Sequence, residues 1–190
     1  MATQNSRIKL KRSTVTATVP TVPSSNDHTD GSWVATDIYK GELFYNQADD
    51  VLWSRGDAGV VCIGGSASVT LTPAQVKTLN STPITIVGAV SGYAIEVVSA
   101  SVKLDYNTTA YLGGTILQLR HDGADLAILR SDALGSTITN KMIFNEHVSP
   151  TTLNTQMLDN AALQVDVSAS NPTTGDSTVT VYVNYRLIPA

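Results

Sequence analysis

The sequence predicts an all-β protein, a small N-terminal β module followed by an antiparallel β-sandwich of jelly-roll type. Three observations predict it. The 190 residues hold 24 Thr and 20 Val against 2 Phe and 3 Met, and β-branched side chains favour pleated sheet. Beyond Pro83, short apolar runs alternate with turn-forming clusters, the rhythm of a sandwich or jelly roll. Near the C-terminus, Val179, Val181, Val183 and Tyr185 alternate with Thr180, Tyr182, Asn184 and Arg186, as in a half-buried antiparallel strand. No apolar repeat at helical spacing runs over several turns, which disfavours bundles and coiled coils.

Each element has a local reason. Residues 7–13 alternate basic and apolar side chains, so they read as a strand with one basic face. Residues 14–23 run extended, because Pro20 and Pro23 fix their own φ and restrict the residue before them. Residues 24–31 are a polar loop. Residues 41–57 form a hairpin, with apolar and aromatic runs flanking Asn46, Gln47, Ala48, Asp49 and Asp50. A strand over residues 60–63 follows, and the pattern then vanishes at Gly64, Gly65, Ser66, Ala67 and Ser68. That stretch reads as a hinge. It divides the chain into residues 1–65 and 66–190.

Past the hinge, Thr72 caps a helix of about two turns, with Pro73 at its first position and Gln75 reaching back as a capping box. Val76 and Leu79 share one face, and Asn80 ends the turn in the left-handed conformation. Strands are expected over residues 84–87, 94–106, 115–120, 126–130, 141–144, 163–169 and 178–188.

Charge is unevenly placed. Arg7, Lys9, Lys11 and Arg12 fall in the first twelve residues without an acid, while the remaining 178 hold 8 basic and 16 acidic residues. This describes a basic arm on an acidic body. Arg7, Ile8, Lys9, Leu10, Lys11 and Arg12 are therefore candidate docking residues for an acidic partner surface, or a solvated end. Four charges are few for nucleic acid. No run approaches the apolar length of a membrane helix, and no secretory signal opens the chain.

Catalytic and metal motifs are missing. The lone Cys62 lies in an apolar run with no visible activating base. His28, His121 and His147 show no metal-ligand spacing, and His121 with Asp122 and Asp125 reads as a solvated turn. Asp49, Asp50 and Asp57 lack the order of a calcium loop. No cofactor is expected. Five of the aromatics, Trp33, Tyr39, Phe44, Tyr45 and Trp53, crowd one stretch of the first module. Trp33, Leu43, Phe44, Tyr45, Leu52 and Trp53 are read as its core or as an interface between copies, because so small a unit has few aliphatics to bury.

The order of these features resembles a known family. The basic strand of residues 7–13 and the Pro/Thr-rich connector come first. Gly41, Glu42, Leu43, Asn46, Asp49 or Asp50, Leu52, Trp53, Gly56, Gly59 and Val60 then follow. This pattern is similar to the N-terminal module of tailed-bacteriophage fibres and receptor-binding proteins such as the major tropism determinant. The second half, from residues 70–87 through 102–111 to 175–188, resembles a small β-sandwich of phage virion proteins. The resemblance implies a non-enzymatic virion structural protein, assembled in the host cytoplasm as a homotrimer beside other capsid or tail proteins. No long repetitive shaft follows the second half, which favours a short head fibre or a tail-associated connector. The alternative is a carbohydrate-binding adhesin that meets host-surface glycan through Trp33, Tyr93, Tyr106 or Tyr111. A hydrolase on the same sandwich rests only on scattered carboxylates.

Overall fold

The computed structural model describes residues 10–24, 34–57, 59–122, 129–137, 141–144 and 158–190. Arg7, Ile8, Lys9, His28, Trp33, Asp125 and His147 lie outside them. The chain is all-β and divides into two compact units, Met1–Gly65 and Ser66–Ala190.

In the first unit, β1 (Lys11–Ser13), β2 (Leu43–Asn46), β3 (Val51–Gly56) and the start of β4 (Gly59–Leu71) lie side by side in that order. The expected hairpin is present: β2 and β3 pair antiparallel, with Phe44 opposite Trp53 and Tyr45 opposite Leu52. The glycine-rich stretch is no hinge. Gly64 and Gly65 are inside β4, opposite Leu52 and Val51, with a bulge that leaves Ile63 as the extra residue. Glycines without side chains blur a strand's pattern, but they do not prevent its ladder from forming.

β1 corrects a further expectation. Read from sequence, a short, exposed basic strand near the N-terminus orders only on a partner, yet residues 11–13 pair in parallel with the chain's own β2. The long connection between the two strands makes a parallel pairing possible.

The second unit opens on the end of β4, which leads into a short helix, α1 (Pro73–Val76). Thr72 and Gln75 form the expected capping box, with the Gln75 N–H donating to Thr72 Oγ1 and the Thr72 N–H to Gln75 Oε1. The helix is shorter than predicted. Asn80 does not stop it in the left-handed region; its amide donates to the carbonyl of Val167 at 2.6 Å.

The remaining strands are β5 (Ile84–Val87), β6 (Tyr93–Asp105), β7 (Leu117–His121), β8 (Leu129–Ser131), β9 (Lys141–Phe144), β10 (Leu163–Val167) and β11 (Thr178–Pro189). They form two sheets, ordered β4-β11-β6-β9 and β5-β10-β7-β8. Counted within the unit, these orders are 1-8-3-6 and 2-7-4-5. That is the paired Greek-key order of a jelly roll.

Alternation fixes which faces are buried. Val179, Val181, Val183, Tyr185 and Leu187 of β11 are all buried, as are Leu163, Val165 and Val167 of β10. β6 and β11 pair along their whole length except at a bulge between Asn184 and Tyr185, where Val98 is extra and 56% exposed. Two glycines are required by close packing. A Cβ on Gly175, whose φ is +110, would meet the Tyr111 ring at 2.1 Å, and one on Gly114 would meet the Ser170 carbonyl at 1.7 Å.

His121 corrects another expectation. It is not a solvated turn residue but is fully buried at the end of β7. The Leu158 N–H donates to its Nδ1 at 2.8 Å, so the proton sits on Nε2, which donates to the Ile95 carbonyl at 2.9 Å. Burial holds its pKa below the usual histidine range.

Candidate docking module

The polar residues of the first unit serve mainly to fasten the N-terminal strand and its loop. Lys11 is on the inner side of the sheet, in register with Phe44. Its ammonium donates to Glu42 Oε2 at 2.8 Å and to the Asp37 carbonyl at 2.7 Å, and lies 5.1 Å from the Tyr39 ring centre. The Glu42 carboxylate also accepts the Tyr39 N–H at 2.8 Å. Gly41, at φ +80, makes the turn that brings Glu42 there. The half-exposed ion pair alone contributes about 0–1 kcal/mol, and the cation–π contact about 0.5–1 kcal/mol. The backbone ladder to β2 therefore carries most of the strand's attachment.

Asn46 is 1% exposed. Its amide nitrogen is 2.7 Å from Asp49 Oδ2 and 3.2 Å from the carbonyls of both Val15 and Thr18, so its two hydrogens serve three acceptors. Its own oxygen accepts the Ala48 N–H. Asp49 in turn accepts the N–H of Ala17, a non-glycine residue held at φ 57. Asn46 and Asp49 thus pin the loop over residues 14–18. A buried pair, Asp37 and Arg55, organises the other end: Asp37 accepts from the Thr21 hydroxyl at 2.6 Å and the Val34 N–H at 3.0 Å. Those hydrogen bonds, with Lys11 and Arg55 nearby, hold its carboxyl below the usual range. Arg55 donates to the Ile38 carbonyl at 2.8 Å.

The sequence candidates therefore divide. Phe44 and Trp53 are 1% exposed and form the unit's core with Ile38, Val51 and Cys62. Leu43, Tyr45 and Leu52 are half-buried on the opposite face. Among the docking candidates, Leu10 and Arg12 are exposed, while the charge of Lys11 is engaged within the chain.

For the adhesin alternative, Tyr111 is fully buried. Its hydroxyl donates to the Ser177 carbonyl, and burial raises its pKa to about 12. It cannot meet a glycan. Tyr106 donates its hydroxyl to the Thr108 carbonyl. The aromatic that the sequence reading missed is Tyr182, 42% exposed on β11. The alternation of β11 marked its outward direction.

Among the described residues, no group of three or more His, Cys, Asp or Glu is arranged to hold a metal ion, and no helix is long and apolar enough to cross a membrane. No family model matches the chain, and no curated protein matches it. Among solved structures, it is similar to a chain of the one titled "Cyanophage Pam1 capsid asymmetric unit", over 65% of this chain and 82% of that one, at 20% identity and a TM-score of 0.37.

Proposed function

We propose that the protein is a non-enzymatic structural component of a bacteriophage virion, a short head fibre or a tail-associated connector. In this reading the first unit docks on the particle through the chain's N-terminus, copies assemble as a homotrimer, and the jelly roll is displayed. One observation carries the proposal. The residues of the phage-module pattern, Gly41, Glu42, Asn46 and Asp49, are the ones that fasten the N-terminal strand and loop to a small sheet. Jelly rolls also occur in viral capsid proteins and lectins, which supports the reading as analogy only. Mass spectrometry of purified particles tests it. The chain is expected at a fixed copy number per particle, and its absence from washed particles would refute the proposal.

A lectin-like reading gains its support from Tyr182, exposed beside Asn184 on β11. It predicts glycan-array binding that Tyr182→Ala abolishes.

A further inference from the structure

The segment that leads into β10 is strapped to β6 and β7, strands of opposite sheets. Asn160 donates its N–H to the Tyr93 carbonyl at 3.0 Å and accepts the Gly92 N–H on its side-chain oxygen at 2.7 Å. Asp159 bridges to Ala94, and the Ala162 carbonyl accepts the Asp122 N–H at 2.8 Å, just past β7. The tether at Leu158 is the His121 ring, which holds the Leu158 N–H on Nδ1 and the Ile95 carbonyl on Nε2. Of these tethers, only the imidazole can change its hydrogen-bonding role near neutral pH.

We propose that His121 is a proton-operated latch, whose protonation frees residues 158–160 in a local opening while both sheets stay closed. An imidazolium carries a donor on each nitrogen, so the Leu158 N–H loses its acceptor. Burial says why the opening is local. Leu158 is half-buried and Asp159 and Asn160 are exposed, whereas Leu163, Val165 and Val167 of β10 are buried apolar residues. Freeing the strap therefore costs a few hydrogen bonds and little apolar contact. Register places Leu163 of β10 beside the ring. The titratable side chains on the inward faces of β6 and β11 are the phenols of Tyr93 and Tyr185. Asp122 and Asp159 adjoin the latch and are exposed, and Glu96, next to Ile95, is paired with Arg186. Once the strap opens, His121 meets water and takes up its proton at the ordinary 6.5, above its folded value. Opening is thus favoured by up to about tenfold per pH unit below 6.5.

The inference stands apart from the virion reading, which fails by absence from particles. Its test is residue-resolved amide hydrogen exchange of the full chain, corrected for the intrinsic chemical rate at each pH. Leu158, Asn160 and Gly92 should open more readily than Val165 and Val181 at every pH. Their opening constants should rise about tenfold or more between pH 7 and pH 5. His121→Asn keeps an oxygen to accept from Leu158 and cannot be protonated, so the rise should disappear. Should that variant fail to fold, nitrogen-15 shifts of the wild-type ring give a second reading: the proton belongs on Nε2 at pH 7. Opening constants that stay flat with pH, strap amides that exchange no faster than Val165 and Val181, or a proton on Nδ1 would each overturn the inference.

Discussion

Protonating His121 would set donor against donor, because the Leu158 N–H already points at Nδ1. The folded pKa is lowered from an unfolded value of 6.5. The neutral ring's contribution is therefore complete above pH 6.5 and is lost as pH falls toward the lower folded value. Asp166 opposes this trend. Burial raises its pKa despite the Arg120 ion pair at 2.6 Å, so its folded form gains as it protonates. Asp37 and Asp176 have lowered pKa values, so what they contribute is present above the ordinary carboxylate range and is lost only at more acid pH. The His121 contribution is isolated by comparison with His121→Asn. Between pH 7 and pH 5, the urea midpoint of the wild type should fall more steeply than that of the variant; parallel slopes would refute the assignment. At a second residue, Gly175→Ala drives a methyl into the Tyr111 ring at a positive φ. It should cost at least about 2–3 kcal/mol in urea unfolding, whereas Gly88→Ala, with open space around it, should change stability by less than about 1 kcal/mol. Neither site was legible in the sequence. His121 is followed by turn residues, and its burial depends on Leu158 and Ile95, both distant along the chain.

The loop over residues 14–18 is held by a few side chains, and this makes its attachment separable from the rest of the fold. Asn46→Ala removes the donor to Val15, Thr18 and Asp49 together from a buried position. A loss of about 2–4 kcal/mol is expected for the first unit. Amide hydrogen exchange should speed up over residues 11–18 while β6, β10 and β11 keep their protection. Equal loosening of both units would contradict this account. The β2–β3 hairpin was legible because apolar residues flank an obvious turn, and the α1 cap because Thr72, Pro73 and Gln75 stand at fixed offsets. The parallel β1–β2 pair was not. Alternation in residues 7–13 announces a strand but carries no information about which sheet it joins.

At the scale of the molecule, the sequence announced the strands of the second unit but not their partners. β4 lies beside β11, and β10 between β5 and β7. Such Greek-key neighbours are set by how two half-apolar sheets close over one core, which no local pattern records. The same limit applied to the docking candidates. Composition marked a basic arm, and the structure shows that Lys11 within it is engaged inside the chain. Truncation after residue 12 would cut into β1 and remove the Lys11 contacts, so removal of residues 1–9 is the cleaner probe of docking. The most direct measurement is quantitative mass spectrometry of particles assembled with the full-length chain or with one lacking residues 1–9, each checked for an unchanged melting temperature. The account predicts full incorporation of the complete chain and a loss of at least about tenfold for the truncated one, the apolar and basic arm contributing more than about 1.4 kcal/mol. Equal incorporation of the two would contradict it.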